Sequence, residues 1–115
     1  EDEHIRDIIA KCQQFARNHQ LVVWMVAHPH KLHRNDSGVI PPPDLYQVSG
    51  SAHWANMADV GLVVHRDFEN NLTRIITRKI REQGIYGHIG ETYFSFSNTE
   101  RVYEEIKEED KELYQ

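Results

Sequence analysis

The chain has 115 residues, of which 39% are apolar and 27% charged, proportions of a folded globular domain rather than of a disordered or membrane-embedded chain. Its formal net charge of −5 excludes a protein that coats nucleic acid through general basicity, because phosphate binding needs clustered Lys and Arg. Cys12 is the sole cysteine, so no internal disulfide can form and a reducing, cytoplasmic setting is expected.

The length suits one domain, expected over residues 1–104, followed by an acidic tail at 105–115. Residues 2–19 set Ile5, Ile8, Ile9, Cys12, Phe15 and Ala16 at helical spacing with charged and amide residues between them, the pattern of a surface helix. Asn18, His19 and Gln20 end it. The run Leu21–Ala27 is then apolar without a break, which predicts a strand covered on both faces in a parallel sheet. A helix leading into a buried strand predicts an α/β fold.

From His28 to about Val48 the apolar pattern stops, and Pro29, Gly38 and Pro41-Pro42-Pro43 favour an extended, non-helical course. A loop this long in a compact domain is usually functional, and it is expected to be mobile and to leave the C-terminal end of a buried strand. Ser49-Gly50-Ser51 reads as the start of a short helix through Met57, and Val60–His65 as a second apolar strand. Phe68-Glu69-Asn70-Asn71 predicts a turn. Residues 72–80 and 92–96 alternate as half-exposed strands, separated by a segment with Gly84, Gly87 and Gly90, so the second half reads as a β-meander. Arg101-Val102-Tyr103 adds a last strand.

No apolar run reaches the roughly 18 residues that a membrane span requires, and the acidic opening residues do not resemble a secretory signal. The chain opens at Glu1 and enters a helical pattern almost at once, so it is expected to be a piece of a longer protein.

Charge is unevenly spread. Arg66, Arg74, Arg78, Lys79 and Arg81 crowd a stretch holding only Asp67 and Glu69 as acids, whereas acids dominate after Glu100. The middle is suited to phosphates and the tail is not. Lys79 and Arg81, two apart in a strand, would present their cations on one face, which is the outline of a phosphate clamp; a solvated edge that discourages aggregation is the competing reading. His28 at the end of the apolar run is either a strand-end cap or a polar contact to a nucleotide phosphate. His28, His30 and His33 form H-x-H-x-x-H, which without an ordered carboxylate is a weak metal signature, and no metal is expected. In the segment from Val48 to Asp59, small residues allow close backbone approach, and Asp59 is placed to anchor the short helix to the next strand.

Three segments in this order, V-V-W-M-V-A-H, then G-S-A-H-W-A-N-M-A-D-V-G-L-V-V-H-R-D after the Pro-rich loop, then K-I-R-E-Q-G-I-Y-G, resemble the C-terminal half of the RecA-like motor of DnaB-like hexameric helicases, especially the Twinkle-type and phage primase-helicases. The resemblance covers about residues 5 to 104 and implies a bacterial or phage source. It implies a partial RecA-like P-loop NTPase core that couples ATP hydrolysis, with Mg²⁺, to translocation on single-stranded DNA in a homohexameric ring. Residue by residue, it implies that His28 is the phosphate-sensing polar residue, and that His30, Lys31, His33 and Arg34 lie on a loop lining the central channel and contact single-stranded DNA. It likewise implies that Arg81 is the arginine finger and Lys79 its partner, both reaching the γ-phosphate held by the neighbouring subunit.

The departures from the pattern are as informative. The sequence has no G-x-x-x-x-G-K-[ST] loop and no Walker B aspartate on an apolar strand, so ATP binding and hydrolysis by this piece alone are not expected. Ala55 stands where some relatives carry a basic residue. A RecA- or RadA-like recombination ATPase and a non-catalytic binding or assembly module remain as alternatives, and a histidine-loop metalloenzyme is a third.

Overall fold

A computed structural model describes residues 2–48 and 52–107. The first element, α1 (Asp2–His19), is the predicted surface helix. Its end is fixed by Gln20, which takes a left-handed φ of 53°, and Leu21 N donates to Ala16 O at 2.9 Å, the six-to-one bond by which helices commonly terminate. His19 reinforces the last turn by placing Nδ1 3.1 Å from Phe15 O and stacking its ring on Phe15 at 4.3 Å.

After the Pro-rich loop come a single 3₁₀ turn, Leu45–Gln47, and the short helix α2 (His53–Met57). A four-stranded sheet follows, consisting of β1 (Val60–Asp67), β2 (Leu72–Ile80), β3 (Gly90–Ser97) and β4 (Val102–Ile106), with the small helix α3 (Gln83–Tyr86) between β2 and β3. The strands lie in chain order and every pairing is antiparallel, so the predicted meander is present and β1 is its first strand. The β1–β2 turn is the predicted one. Asp67 accepts from Asn70 N and Nδ2 at 3.2 and 2.9 Å, and Asn71 takes the left-handed conformation that asparagine tolerates better than most residues. Beyond the predicted Tyr103, β4 continues through Glu104 and Glu105 to Ile106, which is buried.

Two expectations about the sheet are corrected. The fold is α/β, but the sheet is antiparallel and not parallel. Leu21–Ala27 forms no strand: it runs without regular structure, with Val22 80% and Val26 91% exposed. A strand exists only where neighbours accept and donate its ladder of hydrogen bonds, and no described strand pairs with this run. The run instead borders a groove of about 890 Å³, whose other walls include Ile9 and Cys12 of α1 and Val60 and Leu62 of β1.

The core is small. It comprises Ile9 from α1, Ala55 from α2, Val63 from β1, Leu72 and Ile76 from β2, and Ile106 from β4. The two helices are tied together by Gln13 Nε2, which donates to Met57 O. Among the described residues no helix is long and apolar enough to cross a membrane.

Candidate functional site

The loop from His28 to Val48 is a closed structure with its own scaffold. At its neck Pro29 and Val48 form an isolated antiparallel bridge, and His30 N donates to Gln47 O at 2.6 Å. Its tip is organised by Asn35, whose Oδ1 accepts from Ser37 N and Val39 N at 2.9 and 3.1 Å, while Gly38 takes the positive φ of 79° that closes the turn. Arg34 Nη1 donates to Gly38 O at 2.7 Å and braces that turn. The returning limb ends in a reciprocal cap. Asp44 Oδ1 accepts from Tyr46 N and Gln47 N, and Gln47 Oε1 accepts from Asp44 N at 2.8 Å.

The returning limb is also fastened to the sheet. Leu45 packs closely on Gly61 of β1, where a Cβ would overlap its methyl groups, so a side chain at position 61 would require Leu45 to move. Arg78 of β2 donates through Nε and Nη2 to Pro43 O at 3.2 and 3.1 Å, and through Nη2 to Pro42 O at 3.4 Å. Prolines lack an N–H but keep a carbonyl, and a guanidinium matches two neighbouring carbonyls with its fork of donors.

Lys79, the next residue of β2, and Arg81, just beyond its end, act on the next stretch of backbone. Lys79 Nζ donates to Ala55 O and Asn56 O at 2.7 and 3.1 Å. Arg81 Nη2 lies 3.2 Å from Asn56 O and Met57 O and 3.4 Å from Ala58 O, and its Nε is 3.1 Å from Asp59 Oδ1. The last carbonyls of α2 have no partners within the helix, so two cations are well placed there. Removal of the ammonium from water lowers the Lys79 pKa, Arg81 adds to the effect, and Asp59 opposes it.

The β1–β2 register explains why three cations so close in sequence reach over one layer. Gly61 pairs with Lys79 and Leu62 with Thr77, so Arg78 is the extra residue of a β-bulge. Bulges re-aim side chains that strict alternation would send to the opposite face. Lys79 and Arg81 do share a target, as their spacing predicts, although Arg81 lies just beyond the end of β2.

The predicted site residues fall into separate groups. His28 is exposed in irregular chain immediately before the loop's neck, rather than at the end of a strand, and no hydrogen bond or ion pair joins it to Lys79 or Arg81. His30, Lys31, His33 and Arg34 lie exposed on the outgoing limb and tip of the loop. The three histidines of H-x-H-x-x-H do not gather into a metal-binding group, and no such group occurs among the described residues. Ser49, Gly50 and Ser51, the predicted start of α2, lie outside the described residues. The basic stretch from Arg66 to Arg81 is not one patch: Arg74 pairs with Glu91 at 2.8 Å and Arg66 bonds Asn71, leaving Arg78, Lys79 and Arg81 to converge. Asp59, expected to anchor the short helix to the strand that follows it, instead pairs with Arg81 just beyond β2, and its carbonyl accepts from Arg81 N at 2.9 Å.

Sequence reasoning missed Arg78 and the Leu45–Gly61 contact. The signals were present as a third cation beside the K-x-R pair and a glycine within an apolar strand, which often marks close backbone approach. Their partner, the Pro-rich limb, was not readable from spacing.

No protein-family model matches the chain. Among curated proteins it is 37% identical over 108 residues, 90% of this chain, to the Twinkle homolog protein, chloroplastic/mitochondrial, of Arabidopsis thaliana. The chain spans 15% of that protein's length. This degree of identity supports a Twinkle- and DnaB-like helicase relationship for a segment of such a protein.

Proposed function

We propose that the chain is part of the motor of an ATP-dependent, ring-forming replicative DNA helicase, with the His28–Val48 loop facing single-stranded DNA and Lys79 and Arg81 facing the nucleotide of an adjacent subunit. The observation that carries this reading is the Lys79/Arg81 pair at the end of β2, with the Arg81 side chain 48% exposed and therefore reachable from outside the chain, in a sequence 37% identical to a Twinkle homolog.

Among the described residues these two cations suit the outer phosphate of a nucleotide. The sequence holds no phosphate-cradling G-x-x-x-x-G-K-[ST] loop, so the remainder of ATP and its Mg²⁺ would be held by residues other than these. Bound ATP supplies the transferable phosphoryl group. The chain's own contribution is a guanidinium and an ammonium held near the developing negative charge, a contribution that in arginine fingers is worth about 10³ to 10⁵ in rate. His28, directly before the loop's neck, is the residue through which a phosphate contact would be felt by the loop. The outgoing limb offers His30, Lys31, His33 and Arg34 to the DNA backbone, where counterion release favours even a few cations.

The test is hydrolysis in mixed rings of the full-length protein. Subunits carrying Arg81→Ala are combined with subunits whose finger is intact but whose nucleotide-binding loop is broken. Recovery of DNA-stimulated hydrolysis on mixing is expected, because the finger acts on a neighbour. A specific observation favours a second reading: in the structure both cations already bond the α2 carbonyls, as a structural brace of a non-catalytic module would. That reading predicts no recovery on mixing.

A further inference from the structure

We infer that Arg78 is a positioning residue that couples the DNA-facing loop to the strand bearing the Lys79/Arg81 pair; the inference rests on the proposed helicase reading. The returning limb of the loop is held by Arg78 on the carbonyls of Pro42 and Pro43, at 3.1 to 3.4 Å. The next residue, Lys79, and Arg81 beyond it hold the end of α2. One short stretch of β2 thus grips the loop with one cation and carries the nucleotide-facing cations directly after it.

The bulge makes this possible. In an unbroken strand Arg78 would point away from Lys79, and the loop and α2 could not both be gripped from the same side. Leu45 seated on Gly61 fixes the limb a second time, on the residue of β1 that pairs with Lys79. A displacement of the loop's basic limb by DNA is therefore passed through a closed neck and a pinned limb to the backbone of the cation pair. Such a chain of direct contacts is the physical form that coupling between two sites takes.

Arg78 touches neither nucleotide nor DNA in this arrangement, so its loss should change communication rather than chemistry. In the full-length protein, hydrolysis is measured with and without single-stranded DNA for wild type, Arg78→Ala, Arg78→Lys and Leu45→Ala, beside Arg81→Ala. For Arg78→Ala the expected result is DNA-free hydrolysis within about twofold of wild type and stimulation by DNA reduced at least fivefold, with faster amide exchange confined to the loop. Arg78→Lys should restore part of the stimulation, because an ammonium still reaches a carbonyl but lacks the fork. Leu45→Ala should reproduce the loss by freeing the same limb from its other anchor, and it keeps the test open if Arg78→Ala does not fold.

Full stimulation retained by Arg78→Ala, or by both Arg78→Lys and Leu45→Ala, overturns the coupling while leaving the helicase reading intact. Hydrolysis in the wild type that ignores DNA, or that ignores Arg81→Ala, sinks the helicase reading and this inference with it.

Discussion

Arg81→Ala separates the finger from the brace by magnitude. In the structure Arg81 bonds the carbonyls of Asn56 and Met57 in α2, that of Ala58 just after it, and Asp59, but its side chain is 48% and that of Asp59 73% exposed, so water replaces most of what is removed. An exposed ion pair contributes about 0 to 1 kcal/mol, and a cation at a helix C-terminus about 0.3 to 1 kcal/mol. As a brace alone, Arg81 is therefore worth about 0.3 to 2 kcal/mol, a fall in Tm of roughly 4 to 8 °C per kcal/mol in a domain near this size. As a finger, its loss slows hydrolysis by about 10³ to 10⁵, or about 4 to 7 kcal/mol of barrier. The assay is DNA-stimulated hydrolysis at saturating ATP, paired with thermal unfolding of the same protein. Asp59→Ala is the internal control, since it removes the brace's acidic partner but keeps the cation, so it should lower Tm comparably and leave most of the hydrolysis. A loss of less than about tenfold for Arg81→Ala, matching its change in Tm, would refute the finger.

Three further outcomes follow from other parts of the molecule. Leu72, at 2% exposure the most fully enclosed large side chain, opens a cavity when cut to alanine, and Leu72→Ala should lower unfolding free energy by about 2 to 5 kcal/mol in a denaturant titration. Lys31→Ala removes a cation from the exposed loop limb without touching the loop's scaffold, so the salt dependence of single-stranded DNA affinity should flatten by about 0.7 in log–log slope, the value of one phosphate contact. Arg74 grips both carboxylate oxygens of Glu91, at 2.8 and 3.2 Å, and this hydrogen bonding holds the Glu91 pKa below its ordinary value. A depressed carboxylate pKa gives stability that is complete above the unfolded value, about 4.3, and is lost as pH falls through the lower folded value. Glu91→Gln should therefore lower Tm at pH 7 and become indistinguishable from wild type in strong acid; a constant difference at every pH would refute the ion pair's contribution.

How much of this was legible in the sequence depended on whether an element's partners lay close along the chain. The helix from Asp2 to His19, the turn at Phe68–Asn71 and the strand Leu72–Ile80 were readable because periodicity and turn chemistry are local. The meander was readable because each strand pairs with the next. Val60–His65 was read correctly as a strand, but its antiparallel pairing with Leu72–Ile80 was not legible, since an apolar run does not reveal the direction of its neighbour. Within the candidate site, the K-x-R spacing correctly gave Lys79 and Arg81 a shared direction. It could not give their target, the end of α2, nor the bulge that turns Arg78 the same way, because a bulge is a property of two paired strands and leaves no fixed mark in one of them.

The segment Leu21–Ala27 shows what such a failure means energetically. Its composition is that of a strand covered on both faces, yet Val22, Trp24 and Val26 are at least 75% exposed. Covering a Val- or Leu-sized side chain is worth about 1.5 to 3 kcal/mol, so leaving three uncovered forgoes roughly 5 to 9 kcal/mol, comparable with the whole stability of a small domain. The described core, with six buried apolar side chains, has no such surplus to spare. The same run flanks the groove that β1 borders with Val60 and Leu62, themselves 51% and 40% exposed. Apolar surface therefore faces the groove from both sides. A covered-strand pattern in a sequence is a statement about neighbours, and here part of it is met along the groove, which Val22 and Trp24 line, while Val26 lies outside that lining and is left to solvent.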